Sequence, residues 1–274
     1  MGRKRRVRGD VKAAFAVLAC ALIVVLCVLA FRHRSGGAAG PSASGSSSSQ
    51  AIPSSSGSSA SSASQTPQAL SAQEKTGGLL MLVNKAHLLP SGYTPAFATV
   101  PARYYSSSDK DRRFDQRAAP ELERFIDAAR AAGFDVNVIS GYRTYAYQKQ
   151  NYDRHVSALE AQGETSSQAE AGAAKLVAPP GTSEHQTGLA ADIITSDWYT
   201  QHKDLTADFD KTAAFAWMVN HCADYGFVLR YPKGGESITG YDYEPWHYRY
   251  VGAENARAIM AKNDTLEQYV GQAR

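Results

Sequence analysis

Cysteine is scarce in this chain of 274 residues: there are three, Cys20, Cys27 and Cys222. The first two sit in an apolar run near the N-terminus, so no disulfide can form within the rest of the chain. A Cys-rich metal site and a Cys-based catalytic pair are disfavoured for the same reason. Cys222 stands in the apolar run 217–223 and reads as a small buried hydrophobe. Positive charge is also sparse in the main body. The formal charge is +3, but residues 1–34 carry eight Lys/Arg against one Asp, and residues 35–78 balance at zero. Taking that +7 from +3 leaves residues 79–274 at −4. No basic face is implied, and nucleic acid is not an expected partner. A βαβ rhythm is missing too: helical and strand-like stretches alternate without the spacing of a parallel sheet.

Long hydrophobic runs are limited to one. Residues 13–31 are nineteen positions without a charge, preceded by Arg3, Lys4, Arg5, Arg6, Arg8 and Lys12. As a helix at about 1.5 Å per residue this just covers a bilayer's hydrocarbon core of about 30 Å. The preferred reading is an uncleaved signal-anchor over 13–31, with residues 1–12 cytoplasmic and the rest outside the cell membrane. A cleaved signal peptide, or a lipoprotein signal ending at Cys20, are the alternatives, and all three export the chain. Residues 35–78 are rich in Ser, Gly and Ala and too poor in apolar surface to offset their ordering entropy. They are expected to be a flexible linker spanning on the order of 35–40 Å.

Residues 79–274 suffice for one domain. Leu122, Phe125, Ile126 and Ala129 recur at helical spacing, predicting a helix over 117–132 with Pro120 in its first turn and Gly133 at its end. Further helices are expected over 145–161, 212–225 and 252–262, and a short one within a mobile loop over 162–176. Strands are expected over 134–139, 189–195, 227–231 and 244–250. The fold class is α+β, with antiparallel-looking strands.

Two stretches carry chemistry. Ser183-Glu184-His185-Gln186-Thr187-Gly188-Leu189-Ala190-Ala191-Asp192 places an imidazole and a carboxylate around a Gly-bearing turn, and Glu244-Pro245-Trp246-His247 places a carboxylate three residues before an imidazole. Zinc hydrolysis needs three protein ligands and an open position. His185, Asp192 and His247 supply three. Pro245 is tolerated only at a strand's start or edge, which puts Glu244 in the turn and His247 on the strand, and Glu244 there supplies a base for the metal's water. Arg143, at a strand end, is the best candidate cation for a developing oxyanion. Taken singly each residue has a bland reading: surface histidines, a turn aspartate, a solvated glutamate, a surface arginine. Trp246 reads as core. His87, His155, His202 and His221 lack such neighbours and read as structural or surface residues, and Asp197 is a weaker substitute ligand.

These motifs, with Ser140-Gly141-Tyr142-Arg143 and Gln148, resemble the VanY-type D-alanyl-D-alanine carboxypeptidases of the LAS group of zinc peptidases. The resemblance runs from about Leu82 to about Ile259. It implies a single α+β domain with a central antiparallel sheet flanked by helices, one Zn²⁺, and cleavage near the D-Ala end of peptidoglycan stem peptides. By position it implies zinc ligation by His185, Asp192 and His247, Glu244 as base, Arg143 polarising the scissile carbonyl, and substrate contacts from Ser183 and Gln148. Thr144 stands where many relatives have Ser. The expected function is a membrane-anchored carboxypeptidase removing terminal D-alanine. The alternatives are an endopeptidase or L,D-carboxypeptidase of the same group, or a non-catalytic wall-binding module. The sequence sets no oligomeric state.

Overall fold

A computed structural model describes residues 78–107 and 109–271. The basic segment 1–12, the apolar run 13–31 and nearly all of the linker 35–78 lie outside the described residues. No helix among the described residues is long and apolar enough to cross a membrane.

The described residues open with a short 3-10 turn, Gly78–Leu80. Strands β1 (Phe97–Thr99) and β2 (Arg113–Asp115) form a small antiparallel ribbon. Helix α1 (Ala119–Ala131) follows, with Pro120 in its first turn. Gly133 ends it at φ 94°, its N–H reaching the Arg130 carbonyl. Strand β3 (Val136–Ser140) leads to α2 (Tyr145–Glu160) and α3 (Ser166–Leu176). The Thr144 hydroxyl caps α2 by accepting from the Tyr147 amide at 3.1 Å, a task Ser performs equally well.

The polar stretch 162–176 holds a full three-turn helix, α3, rather than a short one in a loop. Thr165 and Gln168 form a capping box at its start. Small residues let it lie close on α2: Ala169 and Ala173 are buried, and a Cβ on Gly172 would meet Leu159 at 2.9 Å.

After β4 (Ala190–Thr195) come α4 (Ser196–His202), which the sequence reading did not anticipate, and α5 (Ala213–His221). The helix expected over 212–225 tightens into a 3-10 turn, Cys222–Tyr225, before Gly226 stops it at φ 78°. Cys222 is fully buried, and burial pushes its thiol up to about 12. Strand β5 (Phe227–Leu229), α6 (Glu236–Thr239), strand β6 (His247–Tyr250), α7 (Ala253–Lys262) and α8 (Leu266–Tyr269) complete the chain.

The main sheet has the order β3-β4-β6-β5, with every neighbouring pair antiparallel. Its alternation separates two jobs. Ala191, Ile193 and Tyr248 face a core centred on Phe125 of α1, whose ring packs against Trp217, Tyr225, Phe227 and Tyr248. Burying each such side chain stabilises the fold by about 1.5–3 kcal/mol. The intervening residues form a cross-strand row on the opposite face. Ser140 pairs with Asp192, Asp192 with His247, and the Arg230 amide reaches the His247 carbonyl at 3.1 Å.

Candidate metal centre

That row carries two of the three expected ligands, and its register alone makes Asp192 and His247 neighbours. His247 Nδ1 lies 3.1 Å from Asp192 Oδ1. His185 comes from a 3-10 turn, Glu184–Thr187, in the segment entering β4. Gly188 turns the chain at φ 68°, and a Cβ there would sit 2.9 Å from the Asp115 backbone nitrogen. The close approach is used: the Asp115 N–H donates to the Gly188 carbonyl at 2.9 Å. With this turn His185 Nε2 is 3.3 Å from Asp192 Oδ2. One ligand atom from each of His185, Asp192 and His247 lies within 4.8 Å of the others, and all three residues are buried.

The tautomer of His185 makes this a cation site. His185 Nδ1 is 2.7 Å from the Gly141 carbonyl, which can only accept, so Nδ1 carries the proton. Gly141 must be small for this, because a Cβ would lie 2.7 Å from the Tyr105 hydroxyl. In the neutral ring Nε2 therefore offers a lone pair directly at a carboxylate oxygen. Burial, then the nearby Arg143 charge, pushes the His185 imidazole down to about 4, so protonation does not relieve the opposition. A metal cation between the three atoms does. Two imidazole nitrogens and one carboxylate oxygen are the donor set of a catalytic zinc site with an open fourth position.

Burial opposes ionisation of Asp192, but the His185 and His247 imidazoles and the Arg143 guanidinium hold its carboxyl well below the usual range. Arg143 is hooked onto the same row: Nε donates to Ser140 Oγ at 2.7 Å and Nη2 to Asp192 Oδ2 at 2.7 Å. Glu244 lies in the turn before β6, as expected, with Oε2 3.5 Å from His247 Nδ1. Its side chain keeps 28% of its exposure, toward a cavity, yet surrounding protein still raises the carboxyl to about 7. Burial works against a charge on His247, but Asp192 and Glu184 outweigh it and push the imidazole up to about 9.

These groups open onto a cavity of about 640 Å³. Ser183 lines it, as does Trp246, which also packs against the core. His155 lines it as well, facing the site from α2 rather than serving a purely structural or surface role; nothing in its sequence neighbourhood signals this, because the placement arises from packing of the α2–α3 pair. Gln148 differs from expectation. It is 1% exposed behind the cavity wall, and its Nε2 donates to the Ala178 carbonyl at 2.7 Å. His202 and His221 stack on Trp198 and Trp217, away from the ligand set. The residue that sequence reasoning missed is Glu184, fully buried between Arg230 and Arg249 and 3.6 Å from His247 Nε2.

The family model described as VanY, D-alanyl-D-alanine carboxypeptidase, matches residues 111–253, just over half of the chain. The chain belongs to the VanY family. A putative carboxypeptidase, YodJ of Bacillus subtilis, is 40% identical over 193 residues, 70% of this chain and 66% of the relative. The chain thus spans slightly under two thirds of that relative's length. Among solved structures, the LD-carboxypeptidase LdcB is 37% identical with a TM-score of 0.61, covering 71% of this chain and 87% of that one. A mutant of the vancomycin-resistance D,D-pentapeptidase VanY in complex with Zn(II) is 38% identical with a TM-score of 0.57, covering 70% and 98%. The α+β domain with a central antiparallel sheet matches these structures.

Proposed function

We propose that this protein is a zinc-dependent carboxypeptidase that removes the C-terminal D-alanine from peptidoglycan stem peptides. The observation that carries the proposal is the convergence of His185, Asp192 and His247 with Glu244 and Arg143 at one cavity. Zn²⁺, when bound, supplies an acidified water and polarises the scissile carbonyl.

The chain's own residues do the rest. Glu244 faces the cavity beside His247, with its carboxyl raised to about 7. From there its carboxylate can take a proton from water and return it to the leaving amine, as base and then as acid. Arg143 directs a permanent cation to the same place. Its Ser140 and Asp192 bonds fix the guanidinium before substrate arrives, which is the preorganisation that stabilises a developing oxyanion. Ser183 offers a hydroxyl at the cavity wall. A wall-binding module without catalysis needs neither Glu244 nor Arg143 in these positions.

The location belongs to the same proposal. The basic segment and the apolar run 13–31 favour a single-pass anchor in the cell membrane with the zinc domain outside, where its substrate lies.

The choice between D,D and L,D cleavage is one of substrate. Identities of 38% to a D,D-pentapeptidase and 37% to an LD-carboxypeptidase leave the two equally close. The full-length chain, purified with zinc, should be incubated with pentapeptide and tetrapeptide stems and the products weighed by mass spectrometry. Loss of one alanine from the pentapeptide, abolished by chelator, is the expected result. Internal cleavage would point to an endopeptidase, and release of terminal D-Ala from neither stem refutes the carboxypeptidase reading.

A further inference from the structure

Glu184 takes no part in the reaction above, yet it is the most thoroughly buried carboxylate beside the site. Its Oε1 accepts from Arg230 Nε at 2.8 Å and from Arg249 Nη1 at 2.7 Å. Among the described residues its Oε2 has no such partner and faces His247 Nε2 at 3.6 Å, a nitrogen likewise buried and without a hydrogen-bond partner. Two complementary polar atoms, each buried and each lacking any other partner, stand a few tenths of an ångström beyond hydrogen-bond length.

We propose that Glu184 is a positioning residue of the metal site: it receives the Nε2–H of His247 and so keeps the Nδ1 lone pair turned toward the metal. This rests on the reading of His185, Asp192 and His247 as zinc ligands. A carboxylate behind a ligating histidine fixes its tautomer and its ring plane, and raises its basicity as a ligand. The His185 ring is oriented on the same principle by the Gly141 carbonyl.

The bracing of Glu184 reaches beyond the stretch that matches the family. Arg230 also donates to both oxygens of Glu267, at 2.9 and 2.7 Å, and Asn84 Nδ2 donates to Glu267 Oε1 at 3.2 Å. Arg249 Nη2 donates to the Leu79 and Met81 carbonyls at 2.9 and 2.8 Å. Leu79, Met81 and Asn84 precede the matched residues 111–253, and Glu267 follows them. Both ends of the domain therefore hold the two arginines that hold Glu184. A buried ion network is a poor device for stability alone, since well-packed apolar groups often do as well. Holding one carboxylate oxygen at one imidazole nitrogen is a task apolar groups cannot perform.

The test compares two isosteric variants of the full-length chain, with zinc affinity read by competition against a chromophoric chelator. In Glu184→Gln the arginines still require an acceptor, so the amide oxygen stays with them and the –NH₂ is turned toward His247 Nε2–H. Two donors then oppose each other, and zinc affinity should fall about 10–100-fold. Glu267→Gln removes charge from the same Arg230 but leaves the His247 contact intact. It should lower the unfolding temperature and keep zinc affinity near wild type. Unchanged affinity in Glu184→Gln, or an equal loss in both variants, overturns the proposal.

A measurement on the wild type guards against misfolding of the variants. In the zinc-loaded protein with ¹⁵N-histidine, His247 should carry its proton on Nε2 and exchange it slowly with water. Exchange as fast as that of an exposed histidine overturns the proposal. Failure of the wild-type protein to bind zinc refutes the ligand assignment instead.

Discussion

Removing the metal should make the fold sensitive to alkali, and the cause is His247. Its imidazole is pushed up to about 9 in the metal-free site, against an ordinary value of 6.5. A group whose folded pKa is raised adds stability that is fully present below the unfolded pKa and disappears as pH climbs through the folded one. Between pH 6.5 and 9 the metal-free protein should therefore lose about 3 kcal/mol of stability. Glu244, raised to about 7, loses its own contribution mostly below that window, and Cys222, raised to about 12, begins to count only above 9. His247 thus governs pH 7 to 9 among the described residues. Zinc reverses the dependence. Binding requires the Nδ1 lone pair, so it displaces nearly one proton from His247 at pH 7.5, and affinity should rise about tenfold per pH unit until about pH 9. Urea unfolding with chelator across this range measures the first effect, and calorimetric zinc titration in buffers of different ionisation enthalpy measures the second. Metal-free stability that stays flat or rises between pH 7 and 9 would refute the reasoning. So would zinc binding without proton release.

The ligand set predicts that His185→Ala and His247→Ala lose stoichiometric zinc, whereas His221→Ala, whose ring stacks on Trp217, retains it; metal analysis after dialysis decides this. Glu244→Gln should keep zinc while the hydrolysis rate falls about 10²–10⁴-fold, and a variant hydrolysing at wild-type rate removes Glu244 as the base. Gly188→Ala forces a side chain into left-handed backbone and toward the Asp115 nitrogen. It should cost about 2–5 kcal/mol in denaturant unfolding, the sum of the left-handed penalty and local overpacking.

The parts of the site legible in the sequence were those tied to local geometry. Gly188 marked a turn beside His185, Pro245 kept Glu244 out of the strand, and the apolar residues flanking Asp192 marked the strand expected over 189–195, where β4 lies. The helix with Pro120 and Gly133 at its ends lies over Ala119–Ala131, because capping chemistry acts within a few residues. α4 escaped notice because Ser196–His202 buries no residue and so leaves no apolar stripe to read. α3 was underestimated for a related reason: its contact with α2 is made through Ala and Gly, whose packing gives little hydrophobic signal.

Glu184 was hidden by a different rule. A glutamate beside a histidine reads as a solvated charge, because the cost of burying it unpaired is prohibitive. Its partners lie 46 and 65 positions away, just past β5 and on β6, and no spacing rule links them. Once the sheet is formed, the row Ser140, Asp192, His247 and Arg230 brings two of the three ligands and one of those arginines together in a single step of strand pairing. The geometry that sets Asp192 against His247 is also the geometry that places a cation behind Glu184. The metal site and its support therefore come from one register. A one-residue slip of β6 would send His247 to the core face and lose both at once.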